Sequence, residues 1–167
     1  MGNRLMHYQA EPITLDRSRQ YEQIVKGRGQ YTKPQGFWVS VEGQYDWPSW
    51  CRDEEVLTES LAAAHEVCLT DAANVLLITS ADEIDQFHGE FAAASEFDRK
   101  YGYGTECWGI DWTSVAERYD GILITPYLWS RRFDGNCGWY YGWDCASGCI
   151  WNLSAIESVT VLSEVAQ

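Results

Sequence analysis

The chain has 167 residues, of which 46% are hydrophobic and 14% aromatic. This composition excludes a disordered acidic chain and suits one folded core, so we expect residues 1–167 to form a single domain. The net charge of −13 repels a phosphate backbone, which argues against stable nucleic-acid binding. No stretch is long and apolar enough to span a bilayer, and we expect no membrane partner.

The charge is unevenly distributed along the chain. Residues 1–52 carry seven basic and five acidic side chains, a balance of +2, whereas the remainder carries five basic and twenty acidic ones, a balance of −15. The basic N-terminal third suits one small anionic ligand, although ordinary solvated loop charge explains the pattern equally well. Nine Trp and ten Tyr residues suit a binding surface, because a ring offers apolar area and a stacking plane together, although an aromatic-rich core with a few exposed rings explains any single Trp.

The six cysteines predict neither a disulfide framework nor a zinc site. No apolar leader follows a charged N-terminus, so the sequence predicts a cytoplasmic protein with reduced thiols. No two cysteines have Cys-x-x-Cys spacing, and the nearest pair is Cys145 and Cys149. We therefore expect no metal cofactor.

In the N-terminal third, the sequence predicts two short strands, at residues 4–8 and 37–41, where bulky and small residues alternate. Residues 12–25 predict a loop that leads into a brief helix. Residues 26–35 combine glycines with charges and predict a loop. Pro48 then fits the first turn of a helix.

The middle of the chain predicts helices interrupted by two buried strands. Residues 53–68 begin with acidic side chains and then place apolar residues at helical spacing, which predicts a helix. Residues 80–99 predict one or two further helices, and residues 111–119 predict a short amphipathic one. Two compact apolar runs, 74–79 and 121–125, predict buried strands.

The C-terminal part predicts a polar loop over residues 130–138 and closing strands at 139–143, 148–152 and 159–162. Strands therefore occur in clusters with helices between them. This order favours an α+β fold with antiparallel pairing over a doubly wound parallel sheet.

Three separated stretches together predict one nucleotide pocket: Leu5–Tyr8, Gly36–Ser40 and Gly148–Ile156. Their order and spacing resemble the ADP-ribosyltransferase superfamily, nearest to the branch of diphtheria toxin and the poly(ADP-ribose) polymerases. The resemblance implies a core of two small, mostly antiparallel sheets with helical insertions. It also implies that NAD is the substrate and that ADP-ribose passes to a protein or nucleic acid acceptor.

The resemblance assigns the first strand to the ribose and the nicotinamide amide. A His on this strand bonds a ribose hydroxyl in the family, and His7 matches that position. The backbone of the next residue, Tyr8 in this chain, holds the carboxamide of nicotinamide. The resemblance therefore makes both His7 and Tyr8 NAD-binding residues, and it makes His7 a candidate catalytic residue as well.

The resemblance assigns the second motif and the residues after it to a ring sandwich around nicotinamide. Gly36, Trp38 and Ser40 lie in the family's Gly-aromatic strand, where Trp38 replaces a Tyr and keeps its aromatic face but not its hydroxyl. Trp50 matches the aromatic residue on the other side of the nicotinamide ring. A planar cationic pyridinium is well held between aromatic faces, although Trp50 also fits a plain core position.

The chain departs from the family pattern at the catalytic Glu, where it has Ser147. In the family, that carboxylate binds the ribose 2′-hydroxyl and stabilises the oxocarbenium-like centre, as carboxylates do in glycosidases. A hydroxyl can bond ribose but offers no negative charge to a developing cation. Three alternatives follow: Asp144 replaces the missing carboxylate, the acceptor's own acidic group assists, or the site binds its ligand without transfer.

These alternatives leave two other classes of function open beside the enzyme. One is a catalytically silent module that binds an ADP-ribose-like nucleotide. The other is an acidic interaction protein that captures a basic partner, as an inhibitor of host defence. The run Lys33–Ser40 is also similar to uncharacterised tailed-phage proteins of actinobacteria, which implies a phage-encoded protein acting in the host cytoplasm.

Overall fold

The computed structural model describes residues 4–23, 33–105 and 108–162. Within these ranges, nine strands form one seven-stranded sheet and one two-stranded sheet. The strands are β1 (Leu5–Gln9), β2 (Phe37–Val41), β3 (Ala63–Leu69), β4 (Val75–Ile78), β5 (Ala92–Ala93), β6 (Gly109–Ile110), β7 (Gly121–Ile124), β8 (Ser147–Ile150) and β9 (Ile156–Val161).

The large sheet has the strand order β4-β7-β8-β2-β1-β3-β9. Its one parallel pair is β4 with β7, and the other neighbours are antiparallel. A parallel pair requires a crossover, and the helical middle of the chain supplies it. The small sheet, β5 with β6, lies within that crossover.

In the part of the chain that the structure describes, five α-helices and several 3-10 helices connect the strands. Side chains cap several of these helices: Ser80 Oγ accepts from the Glu83 N–H, and Ser95 forms a capping box with Asp98. The α-helices are α1 (Trp47–Asp53), α2 (Ala81–Phe91), α3 (Glu96–Tyr101), α4 (Trp112–Ala116) and α5 (Trp129–Arg132), and 3-10 helices cover Thr58–Leu61, Gly135–Gly142 and Leu153–Ala155. No helix in the described ranges is long and apolar enough to cross a membrane.

The α+β class is confirmed, but the sheets differ from the two small ones predicted. One seven-stranded mixed sheet forms instead, and the pairing between two of its inner strands, β2 and β1, is short. The pairing of β1 with β2 covers two residue pairs, Leu5 with Val41 and Met6 with Ser40. With their other neighbours these strands pair over longer stretches, β1 with β3 over five residues and β2 with β8 over four. The sheet therefore consists of a four-stranded and a three-stranded half that meet at two residue pairs.

Each face of the sheet carries a hydrophobic core. The larger core packs β7 and β8 against α2, α4 and the Gly135–Gly142 segment, and several of its large aromatic rings are fully buried. The smaller core lies on the opposite face, between β2, β3 and β8. The large rings of the first core are Phe87, Trp112, Trp139, Tyr140 and Trp143, and the second core contains Phe37, Val39, Val67, Ile150 and Ile156.

Most predicted strands and helices are confirmed. The predicted strands at 4–8, 37–41, 74–79, 121–125, 148–152 and 159–162 correspond to β1, β2, β4, β7, β8 and β9. The predicted helices over 80–99 and 111–119 correspond to α2 with α3 and to α4, and Pro48 lies in the first turn of α1.

The predicted helix over residues 53–68 is wrong. Thr58–Leu61 is a short 3-10 helix, and β3 follows it at once. Burial in β3 alternates, with Ala63, His65 and Val67 inside. Since β3 pairs with β1 on one side and β9 on the other, tertiary pairing outweighs the local helix propensity of an Ala- and Glu-rich segment.

The predicted strand over residues 139–143 is also wrong. These residues lie in the 3-10 segment Gly135–Gly142 and the turn after it. Trp139 and Tyr140 are neighbours and both are buried, at 1% and 0% exposure. A strand would send them to opposite faces, whereas a 3-10 turn brings both into one core.

One predicted loop and one predicted helix need smaller corrections. The predicted loop over residues 130–138 contains α5 and the start of the Gly135–Gly142 segment. No helix forms in residues 12–23, while residues 24 and 25 of that prediction lie outside the described ranges. Most of the predicted loop over 26–35 also lies outside them.

Candidate functional site

A cleft of about 380 Å³ opens where β1 and β2 separate. Both strands continue beyond their last mutual pair, β1 to Gln9 and β2 back to Phe37. Tyr8 and Gln9 line the cleft from β1, and Trp38 and Val39 line it from β2. The cleft is therefore a gap inside the sheet, where unpaired strand ends face each other.

The cleft has an aromatic wall, but not the predicted sandwich. Trp38 and Trp47 line it, whereas Trp50 is not among its lining residues. Trp50 stacks behind Trp47, with ring centroids 4.9 Å apart and planes at 20°. Trp47 therefore has one face covered by Trp50, and Trp38 is supported by an edge contact with Trp143 at 5.0 Å.

His7 contributes to the cleft through its position on β1, while its ring is held in the sheet. The ring stacks on Phe37, with centroids 4.3 Å apart, on the face opposite to Trp38. His7 Nδ1 lies 2.8 Å from the Trp38 carbonyl oxygen, and because a carbonyl only accepts, Nδ1 donates. Burial lowers the pKa of His7, against the opposing effect of the Trp38 bond, and His65 lowers it further.

Behind His7, a second histidine is fixed by the backbone. His65 is fully buried. Its Nε2 accepts from the Ile13 N–H at 2.9 Å, so its Nδ1 carries the proton that is donated to the His7 carbonyl oxygen at 3.2 Å. The two imidazoles thus form a structural support for β1. The predicted bond between His7 and a ribose hydroxyl stays a prediction.

Two charged side chains line the cleft, Lys33 and Asp144. The Lys33 ammonium lies 3.7 Å from Asp144 Oδ2 and 5.1 Å from the centre of the Trp38 ring. The other carboxylate oxygen, Asp144 Oδ1, lies 3.4 Å from the Arg132 guanidinium. Asp144, predicted to replace the missing Glu, is therefore in the cleft and flanked by two cations.

Arg132 is held behind Asp144 by aromatic contacts. Its side chain is 15% exposed, and its Nη1 donates to the Tyr127 hydroxyl at 3.0 Å. The guanidinium lies 5.5 Å from the ring centres of both Trp129 and Phe133. These contacts hold the guanidinium beside Asp144, on the side of that carboxylate opposite to its Lys33 contact through Oδ2.

The serine hydroxyls that line the cleft already make hydrogen bonds within the protein, and that of Ser60 donates to the Leu57 carbonyl oxygen at 2.6 Å. Ser147, at the position of the family's Glu, is 6% exposed and donates to the Cys145 carbonyl oxygen at 2.9 Å. Ser40 pairs with Ser147 across β2 and β8, and its hydroxyl accepts from the Trp47 N–H at 2.9 Å. Ser147 retains lone pairs that can accept from a ligand hydroxyl.

Burial disfavours nucleophilic chemistry at Cys145, which lines the cleft, and at Cys149 of β8, which lies outside the lining. Cys145 lines the cleft but is 4% exposed, and burial raises the pKa of its thiol to about 12. Burial raises the pKa of Cys149 well above its ordinary value too. Since the thiolate is the reactive form, thiol chemistry at this site is disfavoured. In the described ranges, no three His, Cys, Asp or Glu side chains group as a metal site would require.

Gly36 lies outside the cleft lining, although it was predicted to bind the cofactor. A Cβ at this position would lie 2.5 Å from Cys149 Sγ and 2.7 Å from the Ile150 carbonyl oxygen. Gly36 therefore serves the close approach of β2 to β8. The structure brings together the other predicted residues except Trp50: His7, Tyr8, Trp38, Ser40, Asp144 and Ser147.

Sequence reasoning missed several residues of the cleft lining, notably Lys33 and Trp47, and also Gln9, Leu57, Ser60 and Cys145. Lys33 lies in a segment that has only loop character, and its charge was visible solely as part of the basic N-terminal third. Trp47 precedes Pro48 at the start of α1, so a Trp at a helix N-terminus was the available signal.

Comparison with known proteins adds nothing, since no family model, curated protein or solved structure matches the chain.

Proposed function

We propose that the cleft binds a nucleotide containing ADP-ribose, either NAD or ADP-ribose itself. The observation that carries this proposal is the separation of β1 from β2, which opens a cavity of ligand size inside the sheet. Residues of the first two motifs that resemble ADP-ribosyltransferases line it. Ser147, directly before the third motif, lines it as well.

The lining suits the chemistry of a nucleotide. A base or nicotinamide ring stacks on an aromatic face, and the indole of Trp47 offers one opposite Trp50. A diphosphate needs a cation in a chain of net charge −13, and Lys33 supplies it in the cleft.

Calorimetric titration with NAD and with ADP-ribose tests this proposal. We expect both to bind, and Trp47→Leu to weaken binding about tenfold through loss of stacking. Trp108→Leu is the matched control, because Trp108 lies outside the cleft lining and its indole N–H donates to the Tyr103 carbonyl oxygen at 3.0 Å. If neither nucleotide gives a heat of binding, or if both variants bind equally, the proposal fails.

A second function, transfer of ADP-ribose, is favoured by one observation: Asp144 is the carboxylate that lines the cleft. In such a reaction the bond between C1′ and the nicotinamide nitrogen breaks, and its electron pair leaves with nicotinamide. An oxygen or nitrogen of the acceptor then bonds C1′ and releases its proton. A carboxylate beside C1′ stabilises the positive charge that develops between these events.

Release of nicotinamide from NAD, followed by chromatography in the titrated samples, separates transfer from binding alone. If Asp144 is catalytic, Asp144→Asn abolishes release while NAD still binds. Asp134→Asn is a control of the same chemistry, since Asp134 contacts Arg131 and is outside the lining. Binding by the wild-type protein without release would leave a binding module.

A further inference from the structure

The Trp38 ring already carries a cation over it. Lys33 Nζ lies 5.1 Å from the ring centre, within the range of cation–π attraction. Trp143 meets the same indole edge-on at 5.0 Å. The ammonium group of Lys33 therefore already occupies part of the aromatic surface of Trp38. A positively charged pyridinium ring placed beside Trp38 would be repelled by this ammonium group.

The charge of Lys33 is only partly balanced. Its carboxylate partner, Asp144, is 3.7 Å away and is shared with Arg132 at 3.4 Å. Two cations therefore flank one carboxylate on this side of the cleft. A ligand phosphate gains from this excess of positive charge, whereas a pyridinium ring loses.

We infer that Lys33 makes the cleft selective for nucleotides whose ring is uncharged, so that ADP-ribose and NADH bind more tightly than NAD⁺. Lys33 is then the specificity-determining residue of the site. The inference rests on the proposed function, because it concerns the same cleft and the same class of ligand. It reverses the sandwich expected from the sequence, in which Trp38 holds a cationic pyridinium.

NAD⁺ and NADH form a matched pair for the test. They share the adenosine, the diphosphate and both riboses, and they differ in the positive charge of the nicotinamide ring. Attraction between Lys33 and the diphosphate is common to both and cancels in the comparison. We expect the Kd of NAD⁺ to exceed that of NADH about fivefold, as for one repulsive contact near the surface, with ADP-ribose binding at least as tightly as NADH.

The variant Lys33→Gln removes the ammonium group and should bring the two Kd values together, while Lys33→Arg should keep them apart. Lys100→Gln is the matched control, because Lys100 also lies over an aromatic ring, that of Tyr101, at 5.3 Å, but is not among the residues that line the cleft. Calorimetry at low and moderate salt reads both constants.

The outcomes are distinct. Equal or tighter binding of NAD⁺ than of NADH by the wild-type protein overturns the inference and leaves nucleotide binding intact. An unchanged preference in Lys33→Gln overturns the role of Lys33. Absence of binding by all three nucleotides overturns the proposed function, and the inference with it.

Discussion

The carbonyl oxygen of Trp38 accepts a hydrogen bond from the ring of His7, across a distance of 2.8 Å. This bond links β1 to β2 beyond the last backbone pair, Met6 with Ser40. A side chain here takes the place that a backbone N–H has in a continuous ladder. The two halves of the sheet stay connected while their strand ends separate, and the separation forms the cleft.

Replacement of His7 tests this connection. His7→Ala leaves the Trp38 carbonyl without its donor and removes the ring stacked on Phe37. We expect the free energy of unfolding to fall by about 1–3 kcal/mol. Urea denaturation followed by Trp fluorescence measures it. Gln9→Ala, at an exposed position of the same strand, should change stability little, and an equal loss in both variants would contradict a specific role of His7.

Acidification should also weaken the fold through His7. Burial lowers the pKa of His7 in the native protein below the ordinary value of 6.5. Between these two pKa values the unfolded chain binds a proton that the native chain does not, so stability falls as the pH falls below about 6.5. The urea midpoint at pH 7.5 and 5.5 measures this loss. In His7→Asn the loss should be smaller, and an equal loss would assign it to other groups.

The parts of the fold that follow from local pattern were predictable. The runs of β4 and β7, Val75–Ile78 and Gly121–Ile124, are short and apolar between polar residues, which leaves little alternative to a buried strand. Ser80 at the start of α2 is equally local, since its hydroxyl caps the helix. Such signals are complete within a few residues.

β3 could not be predicted, because its pattern depends on distant partners. His65 is a buried polar residue inside it, and its two bonds go to Ile13 and His7, more than fifty residues away in sequence. Without those partners, the segment has the composition of a helix. The same reason applies to the cleft. Lys33 could be assigned to the site only from its contacts with Trp38 and Asp144, which the sequence does not show.

The contact between β7 and β8 makes a glycine indispensable. A Cβ on Gly148 would lie 2.2 Å from Leu123 Cδ2 and 2.4 Å from the Ile122 carbonyl oxygen. The backbone atom has no flexible end to move, so we expect Gly148→Ala to destabilise the protein by about 1–3 kcal/mol or more.

Gly89 provides the matched control for this substitution. It lies inside α2 with no atom within 4 Å of an added Cβ. Because Ala favours a helix interior over Gly by up to about 1 kcal/mol, Gly89→Ala should stabilise the protein. Thermal unfolding of both variants gives the comparison, and a shift of Tm in the same direction for both would contradict it.

Thiol labelling separates the buried cysteine of the cleft from an exposed one. Cys68 is exposed on β3, whereas Cys145 is 4% exposed and burial raises its pKa to about 12. We expect iodoacetamide at pH 8 to label Cys68 in the native protein and Cys145 only after unfolding. Peptide mapping by mass spectrometry reads both sites. Labelling of native Cys145 as fast as Cys68 would show an activated thiol and reopen cysteine chemistry at the cleft.

Arg132 should matter for stability as well as for the position of Asp144. Its guanidinium donates to the Tyr127 hydroxyl and lies among aromatic rings, so Arg132→Met removes a charge-assisted bond and leaves Asp144 with Lys33 alone. We expect a loss of about 1–3 kcal/mol in urea unfolding. Arg132→Lys keeps the charge but not the planar fork, and it should recover only part of the loss.

Arg99→Met, at an exposed position of α3, is the control, since surface substitutions of this kind stay within about 0.5 kcal/mol. Full recovery by Lys would mean that charge alone, and not the geometry of the guanidinium, holds this side of the cleft.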